Sequence, residues 1–435
     1  MSLLRRHFLK LFGSGTLGIG LEQLLRSGEK TRAGREATVN RSDWPPPAGV
    51  PDDTFWEMVR AQFPLTDDRT YLNSGGLGPA PHPVLDAMQQ ARMELQRRSE
   101  TGHERIEAAR DPVSDFFGVR PEEICFVRNA TEGNSTVASG LELGAGDEVI
   151  FESHAHPGGA IPWMNRQKQD GVRVRVFEPD SESAAANLQR IEERITPRTK
   201  ALQVSHVTAP TGIRFPVERI AELAHDHDVW FHIDGAQSAG MFPFDLKEIG
   251  CDSYATSGHK WMGAPHGTGI LYVHAGRLDA VTPTEVGAYT DSAYEIPDTY
   301  DYHPTARRYE SGTRDAAAVE GVVGAVRFLE RIGMDRVAEY SQGLARYLQD
   351  RLRALSGVTV LTPDDPALSG AMTTFRTKRV GHRDLYQFLR GEYSLRCRLV
   401  NERGLDAVRV STHIYNDREE CDRVAAATQE AIENA

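Results

Sequence analysis

Phe231-His232-Ile233-Asp234-Gly235-Ala236-Gln237-Ser238, followed by Thr256-Ser257-Gly258-His259-Lys260-Trp261-Met262-Gly263, decides how this chain is read. Each segment implies a loop at the end of a strand. In open α/β sheets ligands gather beyond the carboxyl ends of strands, so Asp234 and Lys260 can face one ligand although 26 positions (260 − 234) separate them. Working outward, the sequence from Tyr71 to about Val273 alternates amphipathic helical stretches with short β-branched runs. Those runs include Glu148 to Phe151, Val172 to Phe177, Ala201 to Val207, Val229 to Ile233 and Gly269 to Val273. The alternation predicts an α/β domain with a mostly parallel sheet. Beyond Tyr309, two long helical patterns (Asp315 to Ile332 and Asp335 to Leu355) precede strand-like runs and a final helix, so a smaller α+β domain is expected to close the chain. The expected partition is a signal-like segment over 1–35, a linker and N-terminal segment over 36–70, a large domain over 71–305 and a small domain over 306–435.

The 435 residues suffice for a large core and two domains of ordinary size. A net charge of -12 argues against a nucleic-acid partner, because a phosphate backbone is bound by clustered Lys and Arg. No apolar run is long enough to predict a membrane span. Four scattered cysteines without a CxxC pair argue against a zinc site and a disulfide scaffold. His154 with His156, and His225 with His227, lack the carboxylate or cysteine cluster that would complete a metal site, and no metal is expected. The N-terminus differs. Arg5-Arg6-His7-Phe8-Leu9-Lys10 before a moderately apolar, Gly-rich stretch reads as a twin-arginine export signal, with a periplasmic or exported location as the expectation and a cytoplasmic one as the alternative. Trp44-Pro45-Pro46-Pro47 reads as a stiff extended linker.

A loop lysine facing a strand-end aspartate suits pyridoxal phosphate (PLP). The Lys260 amine can hold the cofactor as a Schiff base, and Asp234 at the pyridine nitrogen keeps that ring protonated and electron-withdrawing. Ser257 and His259 can donate to a phosphate, Gly258 allows a close backbone turn, and Gln237 is placed to bond the ring hydroxyl. Upstream, Arg128-Asn129-Ala130-Thr131-Glu132-Gly133-Asn134 follows the apolar run Ile124 to Val127, which predicts a strand-to-helix turn. Free N–H groups at such a helix start bind phosphate; Thr131 adds a hydroxyl and Ala130 lets the backbone approach. Taken by itself, this segment reads equally well as a plain helix cap.

Together these motifs resemble the class V aminotransferase group of fold-type I PLP enzymes, in the branch with isopenicillin-N epimerase-like proteins and cysteine desulfurases. The resemblance runs from Tyr71 to the C-terminus. It is carried by Tyr71-Leu72-Asn73-Ser74-Gly75-Gly76, the Asn-Ala-Thr-Glu turn, His156 ahead of Ile161-Pro162-Trp163, Asp-Gly-Ala-Gln, Ser-Gly-His-Lys, Glu310-Ser311-Gly312-Thr313-Arg314-Asp315, and Arg409-Val410-Ser411 with Tyr415-Asn416. The resemblance implies that His156 stacks on the cofactor ring and that Thr313 reaches the phosphate of a neighbouring subunit, hence a homodimer with shared active sites. It also implies that Arg409 holds the substrate carboxylate, with Asn73, Arg308 and Arg396 as further candidates for that pocket.

Two departures shift the expected chemistry. Cysteine desulfurases carry a nucleophilic cysteine on a loop between the positions of Arg396 and Arg409, where this chain offers only Cys397, in a strand-like run. In His206-Val207-Thr208-Ala209-Pro210, Ala209 replaces the desulfurase-type asparagine. The expectation is therefore a PLP enzyme acting on an amino acid or amine by transamination or epimerisation. A C–S lyase or desulfurase-like enzyme is the alternative, and a non-catalytic binding protein is the reading from another class.

Overall fold

The computed structural model describes residues 41, 44–46 and 49–435, so the twin-arginine segment lies outside the described residues. A two-residue strand β1 (Thr70–Tyr71) leads into a seven-stranded sheet built from β2 (Ile124–Val127), β3 (Glu148–Glu152), β4 (Arg173–Phe177), β5 (Thr199–Ser205), β6 (Trp230–Asp234), β7 (Ser253–Ser257) and β8 (Gly269–Val273). The order is β2-β8-β7-β6-β5-β3-β4. β7, β6, β5, β3 and β4 pair in parallel, and β8 is antiparallel to both neighbours. The central strands read as nearly continuous apolar runs because helices cover both faces of the sheet. Helices Ala130–Gly140 and Pro157–Asp170 seal one face through Val137, Ala138 and Trp163. Helices His103–Phe117, Val217–Asp226 and Ala316–Ile332 seal the other.

A hairpin of β9 (Asp291–Glu295) and β10 (Thr299–Tyr302) follows the sheet, with Tyr294, Ile296 and Tyr300 exposed. The C-terminal part folds on a second, antiparallel sheet of β11 (Val358–Val360), β12 (Met372–Thr377), β14 (Arg398–Val400) and β15 (Ala407–Ser411), in the order β11-β12-β15-β14. The intervening β13 (Leu395–Arg396) pairs instead with β1 in parallel. Leu344, Leu348, Phe375, Leu385, Val408 and Val424 form the core beneath this sheet. Among the described residues no helix is long and apolar enough to cross a membrane.

Two features differ from the expected partition. Helix Ala316–Ile332 buries its apolar face in the core of the large sheet, so a boundary at 306 cuts through that core, to which Val337, Ile414 and Tyr415 also belong. Part of the 36–70 segment joins the same core: helix Asp52–Arg60 places Trp56 in a stack with Tyr340 at 3.8 Å, and Trp44 packs against Phe328 at 4.7 Å. The reason is aromatic burial, a large apolar gain that composition-based linker reading ignores.

Candidate active site

Asp234 ends β6 and Ser257 ends β7, its neighbour, so Asp234 and the Gly258-His259-Lys260 turn emerge at the same sheet edge. The Asn73 to Gly78 loop closes over this edge. A Cβ at Gly78 would stand 1.8 Å from the Lys260 carbonyl oxygen, and its N–H donates to the His259 carbonyl at 2.7 Å. Only glycine permits that approach.

Asp234 is 5% exposed. Its Oδ2 accepts from Asn134 Nδ2 at 2.9 Å, and its Oδ1 from the Ala236 N–H at 3.1 Å. Asn134 Nδ2 also faces the Gly158 carbonyl at 3.3 Å, a second group that can only accept, which fixes the orientation of the amide. Asn134 Oδ1 must then accept from His232 Nε2 at 2.9 Å, and His232 Nδ1 accepts from the Ser253 hydroxyl at 2.8 Å. Trp230 Nε1 donates to the same Ser253 oxygen at 3.0 Å. Desolvation drives His232 down to about 4, so the ring is neutral and fits this one tautomer. The arrangement delivers N–H groups to both oxygens of Asp234.

Desolvation lowers the Lys260 amine to about 8; Asp234 opposes the shift, and Arg409 and Arg398 add to it. His156 caps helix Pro157–Asp170, its Nδ1 accepting from the Gly158 N–H at 3.0 Å. Desolvation first, then the charge of Lys260, keep it below the ordinary imidazole value.

Helix Ala130–Gly140 begins at the end of β2. Asn129 caps the Glu132 N–H, and the Ala130 N–H donates to Ser257 Oγ at 2.9 Å. Thr131 and Ser257 therefore meet at one helix N-terminus. His259 Nδ1 is buried without a hydrogen-bond partner, and desolvation lowers the ring to about 4. Gln237 is held by Trp261 Nε1, which donates to its Oε1 at 2.8 Å, and it donates to the Gly75 carbonyl at 2.9 Å.

Arg409 is 1% exposed. Nη1 donates to the Ala209 carbonyl at 2.6 Å and Nη2 to Asn73 Oδ1 at 3.0 Å, and Nε has no partner. Among the described residues no carboxylate lies within ion-pair distance of it, and desolvation pulls it down to about 9. Arg398 stands directly opposite on β14 and pairs with Glu402.

The structure therefore gathers Lys260, Asp234, His156, Ala130, Thr131, Ser257, His259, Gln237, Asn73 and Arg409 around one sheet edge, and separates the other expected residues from it. Arg308 pairs with Asp279 at 2.8 Å and bonds the His303 carbonyl, so this further candidate for the carboxylate pocket is engaged elsewhere. Arg396 turns to Tyr386 and the Cys397 carbonyl because β13 pairs with β1; the arginine facing Arg409 is Arg398, two residues on. Thr313 makes no hydrogen bond to the residues around Lys260 and lines a surface cavity with Arg128 and Thr268. Cys397 is wholly buried, and desolvation pushes its thiol up to about 12. Sequence reading missed the roles of Asn134, His232 and Arg398. His232 carried a signal, since residues two apart on a strand share a face and Asp234 is its i+2 neighbour.

A buried carboxylate with an N–H on each oxygen, a desolvated amine, a helix N-terminus with two hydroxyls and an orphaned imidazole nitrogen form a set that fits PLP: ring nitrogen, aldehyde and phosphate each have a partner. Fold and site thus define an enzyme of the fold-type I architecture. The sequence profile of the family described as "Aminotransferase class-V" matches residues 70–424, and the chain belongs to that family. It is 31% identical over 395 residues to the isopenicillin N epimerase of Amycolatopsis lactamdurans, covering 87% of this chain and 98% of that protein. The apo cysteine desulfurase of Thermococcus onnurineus NA1 superposes with a TM-score of 0.80 at 26% identity, over 87% of this chain and 98% of that one. The cystine C–S lyase C-DES, solved with its product cysteine persulfide, gives a TM-score of 0.78 at 26% identity over 85% of this chain and 100% of that one.

Proposed function

We propose that this PLP-dependent enzyme processes the α-carbon of an amino acid, by transamination or epimerisation, with Lys260 as the group that moves the proton. Bound PLP supplies an aldehyde that condenses with amines and a protonated ring that withdraws electrons from the adjacent carbon. The observation that carries the reading is Arg409: a wholly buried guanidinium with no carboxylate partner, in the same group as Lys260 and Asp234. Leaving such a charge unpaired is costly, and a substrate carboxylate compensates it with two parallel hydrogen bonds. Asn73 and the Ala209 carbonyl hold the guanidinium in place, and Arg398 adds positive potential beside it. With Asp234 held in place by Asn134 and Ala236, the desolvated Lys260 amine takes a proton from the α-carbon and returns it. Where it is returned selects the reaction.

A lyase reading has separate support in the likeness to the C–S lyase C-DES, and a lyase acting on a cysteine conjugate needs no loop cysteine. A desulfurase reading has less, because Cys397 is buried and its thiol is held protonated. The deciding experiment incubates the PLP-loaded protein with L- and D-amino acids and cysteine conjugates in deuterated water. Deuterium at Cα with an inverted product or a keto acid is expected, pyruvate with a thiol selects the lyase, and unchanged turnover in Lys260→Ala overturns the site assignment.

We further infer a homodimer in which Thr313 serves the neighbouring phosphate, which accords with its separation from its own site and with the exposed aromatic tip of the β9–β10 hairpin. Light scattering showing a monomer at micromolar concentration would remove that proposal. Export by the twin-arginine route is proposed on Arg5-Arg6 alone; cell fractionation before and after Arg5→Lys/Arg6→Lys replacement tests it.

A further inference from the structure

Between helix Pro157–Asp170 and strands β3 and β4 lies a cavity of about 430 Å³, within the range of small-molecule sites. Ala155, Ala160, Met164, Val174 and Pro210 make its walls apolar. Two of its residues belong also to the active site. His156 lines it while interacting with Lys260 and Asp234, and Ala209 lines it while its carbonyl holds Arg409. The cavity therefore opens beside the reacting group. Its roof is the segment after β14: Glu402 is paired with Arg398, and Arg403 Nε donates to the Ser153 carbonyl at 3.3 Å. Glu152 also lines it, 0% exposed, with Oε1 accepting from the Ser205 N–H at 3.1 Å and Oε2 without any hydrogen-bond partner. Burial lifts this carboxyl to about 7, so near neutral pH it can offer either a donor or an acceptor.

We propose that this cavity receives the side chain of the amino-acid substrate, a largely apolar chain longer than that of cysteine. The proposal rests on the amino-acid reading above. The shape selects length because each buried methylene adds transfer free energy, whereas a short side chain leaves the apolar walls uncovered.

The test measures Kd by calorimetry and kcat/KM for both enantiomers of alanine, norvaline, norleucine and 6-hydroxynorleucine, with the PLP-loaded wild type, Ala160→Phe and Met164→Trp. A gain of about fourfold in kcat/KM per added methylene is expected in the wild type, with the terminal hydroxyl giving back part of that gain against the apolar walls. Ala160→Phe, and independently Met164→Trp from the solvent side, should bring the norleucine-to-alanine ratio towards unity. If alanine and norleucine are processed equally by the wild type, or both variants keep the wild-type ratio, the cavity does not hold the side chain while the enzyme reading stands. If no amino acid binds or reacts, the amino-acid reading fails and this inference with it.

Discussion

His232 touches neither Lys260 nor the substrate pocket, yet it sets the direction of the hydrogen bonds that end on Asp234. His232→Phe should leave the Asn134 carbonyl without its donor, at about 1–3 kcal/mol, and weaken PLP retention roughly tenfold or more. His232→Gln, whose amide can replace the Nε2 donor, should restore it. Retention during dialysis and the pH at which the bound-cofactor absorbance changes are the readouts; equal retention in all three proteins would show that Asn134 needs no positioning. Lys260 makes a second prediction. An amine at about 8 is roughly one-tenth neutral at pH 7, and only the neutral form attacks an aldehyde. The rate of PLP loading into apo protein should rise about tenfold between pH 6 and 7 and level off above about pH 8, whereas an ordinary lysine would keep rising to beyond pH 10. Residue identity made Lys260, Asp234 and Ser257 legible in the sequence. Nothing in it could reveal which tautomer His232 adopts, because that depends on Ser253, a residue of the next strand.

At the level of elements, the Glu310-Ser311-Gly312-Thr313-Arg314 segment is a clamp on β2, the edge strand of the large sheet. The Phe126 N–H donates to Glu310 at 2.7 Å and its carbonyl accepts from Arg314 at 2.7 Å, so the edge is satisfied by side chains. Glu310 also forms a two-pronged ion pair with Arg110, at 2.9 and 2.8 Å, with both side chains 6% exposed. Glu310→Ala should cost about 3–5 kcal/mol, because it breaks a buried ion pair, leaves Arg110 only the half-exposed Glu107 as counter-charge, and frees an edge N–H. Denaturant unfolding measures this, and a loss below about 1 kcal/mol would mean that water replaces the carboxylate. The motif was legible as a string, but its mechanical role was not. Neither was the displacement from Arg396 to Arg398, since both arginines sit at the same phase of one strand-like run and only the pairing of β13 with β1 tells them apart.

For the whole molecule, four histidines are held neutral by burial, His206 at about 3 and His232, His259 and His413 at about 4. All four would titrate near 6.5 in the unfolded chain, so below that pH the unfolded state binds more protons and stability falls as pH falls. Glu152, raised to about 7 by burial, acts in the opposite sense between its ordinary 4.5 and 7. Four histidines less one carboxyl leave a net of about three protons, so the unfolding free energy should decline steadily from pH 6.5 towards 4.5. Denaturant titrations at pH 6.5, 5.5 and 4.5 check the slope, and a flat or rising profile on acidification would contradict this account.

The sequence by itself determined the α/β alternation, the two strand-end loops bearing Asp234 and Lys260, and the strand-to-helix turn at Ala130, because periodicity and turn chemistry act over a few neighbouring residues. Tertiary structure alone decided the rest. It chose Arg398 over Arg396, sent Arg308 to Asp279, drew helix Ala316–Ile332 into the large core and left Arg409 buried without a carboxylate. Each of those outcomes depends on which distant segment lies opposite, and on what water is excluded when they meet; neither quantity is written in local spacing.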